Sequence, residues 1–273
     1  MRITFLGTGT SHGVPMIGCE CLTCTSADPR DKRLRPSIFV ESGRTKVLVD
    51  AGPDLREQAL RSRITRVDAI LFTHGHADHI LGIDDVRRFN ALMKGPMTCY
   101  GDAATLVDIQ RMFSYVFNPA TPKGGGIPQI DLRPIDGRLA IGDLEVQPVP
   151  LWHGTRPILG YRFGPVPSAV EGPVRSAVEG AFAYLTDCNR LADEAWPLLE
   201  GLEVLVLDAL RVRPHPTHFS LDEAVEIARR IRAARTYFTH MCHDLPHEAT
   251  NARLPAGMAL AHDGLILEMS NGK

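Results

Sequence analysis

The chain has 273 residues, 44% of them hydrophobic and 23% charged, with 30 Lys+Arg against 32 Asp+Glu and a formal net charge of −2. This balance excludes a disordered, collagen-like or mucin-like chain and gives no global attraction to nucleic acid or to a membrane. No apolar run approaches the ~18–20 residues of a membrane span, and Met1-Arg2 leads through a few apolar residues into glycine rather than into a signal-peptide core. A cytoplasmic location is therefore expected, with the six cysteines as thiols or metal ligands rather than bridges.

Residues 2–6 (RITFL) read as a strand that runs into GTGTSHGVPMIG and then Cys19, Cys21 and Cys24. Strands are expected near 37–41 and 46–49, turned by Ser42-Gly43-Arg44, and a helix over 54–62 capped by Asp54. The apolar run 67–73 (VDAILFT) reads as a buried strand that delivers HGHADH at 74–79. A helix capped by Asp102 over 102–113 and a Gly/Pro loop over 117–128 follow, then strands near 144–151, 158–163, 181–186 and 203–208. Ser220 and Glu223 make a capping box for a helix over 220–233, with Leu221, Ala224, Val225, Ala228 and Ile231 on one face. A strand at 235–239 ends at His240, and Asp263-Gly264 is expected to turn a final hairpin. The repeat SAVEGPVRSAVEG (168–180) reads as an extruded loop. Strands and helices alternate in two similar halves, which predicts an α/β (α+β) single domain of two sheets packed face to face with helices outside.

His74-Gly75-His76-Ala77-Asp78-His79 puts four metal-capable side chains in six residues directly after a buried strand. Imidazole and carboxylate suit Zn²⁺, Mn²⁺ or Fe, and the small Gly75 and Ala77 allow a tight turn to aim its neighbours at one centre. Four groups cannot close two metal shells, so further ligands are expected at other strand ends. His153 in PLWHGT, Asp187 after AFAYLT and His240 after TYFT each follow an apolar strand, as His74 does.

HGHADH with these three residues resembles the metallo-β-lactamase superfamily of binuclear metallohydrolases, over nearly the whole chain. The resemblance implies a four-layer αββα sandwich with metals along the sheet edges. It implies one metal on His74, His76 and His153, a second on Asp78, His79 and His240, and Asp187 bridging. Asp50 in VLVDAG resembles an early-strand aspartate that orients a ligand histidine. The segments GTGTSHGVPMIGCECLTC, TDCNR, PTHFSL and THMCHDLPHE further resemble the phosphoribosyl cyclic phosphodiesterases of phosphonate breakdown. That likeness implies hydrolysis of a small cyclic sugar phosphodiester by a hydroxide bridging the two ions.

Cys19, Cys21 and Cys24 can hold a tetrahedral structural Zn²⁺ with one more ligand, for which His218 in THFSL is the first choice and His215 and His12 the alternatives. Asp78 is a candidate proton acceptor for the attacking water. The family's histidine soon after the strand aspartate is missing from Asp208-Ala209-Leu210-Arg211. Arg211 stays protonated and suits a substrate phosphate, leaving His243 and His215 as candidate general acids.

Other readings are a tRNA 3′-processing endonuclease, a β-lactamase or thioester hydrolase, a redox di-iron protein and a non-catalytic metal-binding protein. The endonuclease needs a basic arm, whereas 164–180 holds Arg175 against Glu171 and Glu179. The other enzymes fit less well: the cysteine cluster has no role in the second, and His76 stands where the third would carry glutamate. A complete ligand set opposes the last. A homodimer is the default assembly, and the expected partner is a small phosphodiester, not nucleic acid or membrane.

Overall fold

The computed structural model describes residues 1–122, 126–166 and 180–269. The first half builds one sheet from β1 (Arg2–Gly7), β2 (Ser37–Ser42), β3 (Thr45–Val49), β4 (Ala69–Leu71), β5 (Met97–Gly101) and β6 (Ile130–Pro134). These lie in sequential order, and the C-terminal β15 (Ile266–Glu268) returns to pair with β1. The second half builds the other sheet from β7 (Leu139–Ile141), β8 (Leu144–His153), β9 (Arg156–Pro165), β10 (Phe182–Leu185), β11 (Arg190–Leu191), β12 (Val204–Asp208), β13 (Arg235–Thr239) and β14 (Met258–Leu260). Its order is β11-β8-β9-β10-β12-β13-β14, with β7 beside β8.

Strand alternation sorts the apolar residues into three layers. Val47 and Val49 of one sheet meet Val204 and Val206 of the other in the central layer, with Phe5, Tyr161 and Phe163 between the sheets. Leu48, Ile70 and Phe72 turn outward onto Leu55 of α2 (Leu55–Arg61), Val86 and Phe89 of α4 (Val86–Met93) and Ile109 of α5 (Ala103–Met112). Leu205 and Leu207 turn outward onto Ala195 of α7 (Ala195–Leu198) and onto Ala224, Val225, Ala228 and Ile231 of α8 (Leu221–Ile231). Each buried Val, Leu or Ile contributes roughly 1.5–3 kcal/mol. The outcome is the αββα sandwich. Shorter helical turns are α1 (Leu22–Thr25), α3 (Ala77–Ile80), α6 (Ser114–Phe117) and α9 (His247–Asn251).

The capping box of α8 forms as expected, and Asp102 caps α5 by accepting from Thr105 N at 2.7 Å. Asp54 precedes α2 without capping it, because its carboxylate is taken by the backbone N–H and guanidinium of Arg35 at 2.8 and 3.1 Å. The Asp263-Gly264 turn forms, but not as a hairpin: β14 pairs with β13 in one sheet and β15 with β1 in the other. The turn is a crossing between sheets, held because the Asp263 carboxylate accepts from Thr8 N and Leu34 N at 2.9 and 2.8 Å. The SAVEG repeat lies, except for Gly180, outside the described residues. Among those described, no helix is long and apolar enough to cross a membrane.

β3, β4, β5 and β6 run parallel, as do β10, β12, β13 and β14. The C-terminal ends of consecutive strands therefore share one edge in each sheet. Asp50, Asp187 and His240 lie just beyond β3, β10 and β13 with φ of 61°, 60° and 61°. A side chain in the left-handed region costs about 1–3 kcal/mol and persists where its surroundings overdetermine it. That three strand ends share this conformation marks the edge as a built site.

Candidate active site

Asp187 is the hub. Its Oδ2 lies 3.1 Å from His74 Nε2, 3.0 Å from His79 Nε2 and 3.7 Å from His240 Nε2. Its Oδ1 lies 3.1 Å from His153 Nδ1 and 3.0 Å from His218 Nδ1. His76 Nδ1 is 2.9 Å from His74 Nε2, and Asp78 Oδ2 is 3.4 Å from His79 Nε2. Two overlapping ligand groups result, His74, His76 and Asp187, and Asp78, His79, Asp187 and His240. His153 reaches the same carboxylate but groups with His218; its ring centroid is 5.1 Å from that of His76.

Two carboxylates behind the hub orient the imidazoles. Asp50 accepts from Thr73 N at 2.9 Å and from His79 Nδ1 at 2.7 Å, so His79 turns Nε2 toward Asp78 and Asp187. Asp208, at the end of β12, accepts from Asp187 N at 3.0 Å and Phe219 N at 3.1 Å and lies 3.1 Å from His240 Nδ1. The sequence reading assigned Asp208 no part in the site. The signal was present, since VLVLDA repeats the pattern of VLVDAG at Asp50. Gly75 is required by space: a Cβ there would meet the Asp108 carboxylate at 2.6 Å.

The charges follow from burial and neighbours. Burial pushes the His74 pKa down to about 3, helped by His79. Burial also disfavours charge on His79, but Asp50 and Asp78 outweigh it and raise its pKa in the metal-free protein; a cation on Nε2 would displace that proton. Burial would raise Asp78 and Asp187, yet His79 acts on the first and His240 and His74 on the second, and both stay well below the usual carboxylate range. So low a carboxyl makes Asp78 a better ligand than proton acceptor.

His218 and His243 exchange the places expected of them. His243 Nδ1 lies 3.2 Å from Cys19 Sγ and 3.6 Å from both Cys21 Sγ and Cys24 Sγ, forming a Cys₃His group. Backbone N–H groups of Met16 and Cys24 donate to Cys24 Sγ and Cys21 Sγ at 3.4 and 3.5 Å, and the second of these lowers the Cys21 pKa. His218 is absent from this group because Phe219 is tied to Cys188 O and Asp208, which fixes its neighbour on the other sheet edge, against Asp187. The His215 ring lies 4.8 Å from that of His218, tilted by 40°, and bonds Thr217; among the described residues it forms no ion pair with Asp187. Arg211 donates to the carbonyls of Arg213 and Pro214 at 3.1 and 2.9 Å, so its guanidinium serves the loop.

A buried arginine links the two clusters. Arg33 donates to Cys242 O at 2.8 Å and Leu245 O at 2.5 Å, and Asp31 beside it accepts from His247 N at 2.8 Å. The segment so clasped carries His243 and begins next to His240. Removing either partner of such a pair strands a buried charge, at about 3–5 kcal/mol.

Metals fit both clusters by donor chemistry. Among the described residues His79 Nε2, His153 Nδ1, Asp187 Oδ1 and His240 Nε2 are buried at the hub without a well-directed hydrogen bond. Buried polar atoms are rarely left so, and a cation accepting their lone pairs would satisfy them together. Three thiols and an imidazole match a closed tetrahedral zinc set. Accordingly Cys21→Ser and His243→Ala should each lose one zinc per chain by elemental analysis and lower the unfolding midpoint by roughly 5 °C or more. His218→Ala should keep that zinc; its loss there would overturn the exchange of the two histidines.

A sandwich of this topology, with clustered histidines and aspartates on the sheet edges, defines a metal-dependent hydrolase fold. The beta-lactamase superfamily domain matches residues 45–241. A crystal structure described as a new diphosphatase from the PhnP family is 44% identical, covers 98% of each chain and superposes with a TM-score of 0.86. Zn²⁺-bound PqqB from Methylobacterium extorquens shares the fold at 19% identity and a TM-score of 0.73, covering 98% of this chain and 100% of that one. An octanoyltransferase of Porphyromonas gingivalis is 33% identical over 97% of this chain, which spans about half of that protein's length. The chain belongs to the beta-lactamase superfamily and, within it, to the PhnP family.

Proposed function

We propose that the chain is a two-metal phosphodiesterase acting on a small phosphate diester. The observation that carries this reading is the convergence of His74, His79, His153, His218 and His240 on the single buried carboxylate of Asp187. His74, His76 and Asp187 would hold one ion, with His153 beside them, and Asp78, His79, His240 and Asp187 the other. A bound pair of divalent ions lowers the pKa of water and neutralises charge on a phosphate oxygen. Asp50 and Asp208 fix the imidazoles that bind.

His218 supplies what the ligands do not. Burial disfavours its charge, but hydrogen bonding to Asp187 and Asp208 outweighs this and raises its pKa to about 10. With Nδ1 on those carboxylates, Nε2 remains to donate a proton to the leaving oxygen as water attacks phosphorus from the opposite side. The water oxygen would form the new P–O bond and release its proton to solvent, the bond to the leaving oxygen would break, and that oxygen, still tethered in a cyclic ester, would take the proton from His218. This gives the role sought in His243 and His215 to the residue first placed on the zinc.

The cyclic ribose phosphodiester implied by the sequence suits this site, and a diphosphate ester is the second reading, favoured by the diphosphatase at 44% identity. The sparse cations at 164–180 favour a small substrate over tRNA. The test is turnover of bis-p-nitrophenyl phosphate after reconstitution with Mn²⁺, Zn²⁺ or Fe²⁺. Metal-dependent release of p-nitrophenol is expected, and no release with any of the three would refute the reading.

A further inference from the structure

The β8–β9 turn presents an arginine as well as His153. Arg156 opens β9 directly across the ladder from His153. Its Nη2 donates to Asp108 Oδ2 at 2.5 Å, and Asp108, on α5, packs against Gly75. Since Gly75 separates His74 from His76, the guanidinium stands beside the ligand turn.

Only one edge of that guanidinium is committed. Among the described residues Asp108 is its sole polar partner, and the side chain is 33% exposed. A planar fork held on one side and open on the other is prepared for bidentate binding of an anion. Among the described residues Arg156 pairs with Asp108 and not with Asp187, so it stands beside the hub rather than on it.

We infer that Arg156 binds the second, unreacting phosphoryl group of a diphosphate diester whose first phosphoryl group is hydrolysed at the Asp187 centre. This rests on the phosphodiesterase reading and names its substrate class. The bland alternative is a brace pinning α5 to the β8–β9 turn, and Asp108 separates the two. A brace fails alike whichever partner is lost, whereas an anion site survives loss of Asp108 while Arg156 remains.

The experiment compares KM and kcat for a symmetric dinucleoside diphosphate and for bis-p-nitrophenyl phosphate in wild type, Arg156→Met, Arg156→Lys and Asp108→Asn. In Arg156→Met, kcat/KM for the diphosphate should fall at least tenfold further than for the monophosphate diester, mainly through KM. Arg156→Lys should recover part of the difference, and Asp108→Asn should not reproduce it. Equal losses on both substrates, the same selective loss in Asp108→Asn, or a wild type that cleaves only the monophosphate diester would overturn the inference. A wild type that cleaves neither refutes the phosphodiesterase reading itself.

Discussion

Asp187→Asn should lower kcat/KM for bis-p-nitrophenyl phosphate by on the order of 10³-fold or more and reduce bound active-site metal to one ion or fewer per chain. The carboxylate is the shared member of both ligand groups, and apart from Asp78 it is the only anion in them. If two ions bind as proposed, a neutral amide there would remove the negative charge shared by both ligand groups. Asparagine is the informative choice because Asp187 has φ 60°, a region asparagine tolerates better than most residues. The backbone bond from residue 187 N–H to Asp208 survives the change, so the loop should keep its course. Near-normal turnover with two metals retained would remove Asp187 from the centre of the site.

The residues that local chemistry could identify were those whose neighbours in sequence are also their neighbours in space. HGHADH is one turn after one strand, and the Ser220–Glu223 box is contained in four residues. His153, Asp187 and His240 were legible because an apolar strand ending in a ligand-type residue is a local pattern. The exchange of His218 and His243 was not legible. Each lies three residues or more from any other candidate, and which cluster it joins depends on how the two sheets pack. Arg33 is the same lesson in charge: in DPRDKRLR it reads as one solvated cation among several, yet its guanidinium is fully buried. Only the 240–247 segment, more than two hundred residues on, supplies the carbonyls that allow it. Asp263-Gly264 carried the right turn chemistry and the wrong partner, because turn residues specify a reversal and not which sheet receives the next strand.

His218→Ala should show an effect set by the leaving group. p-Nitrophenolate leaves readily without a proton, so bis-p-nitrophenyl phosphate should lose roughly tenfold or less, whereas a five-membered cyclic phosphodiester of ribose, with an alkoxide to expel, should lose about 10²–10⁴-fold. A general acid works while protonated, so wild-type activity on the cyclic ester should fall as pH rises through the His218 pKa. Burial opposes that charge, and Asp187 and Asp208 hold it in place. The falling limb should disappear from the variant's residual activity, which no longer depends on that proton. Asp208→Asn offers a second lever: with one of the two carboxylates neutralised, the limb should move to lower pH while the zinc on the cysteines stays in place. A ligand role for His218 would instead give equal losses on both substrates together with lost metal. The ratio of the two losses, read beside metal content, therefore decides whether this histidine gives a proton or holds an ion.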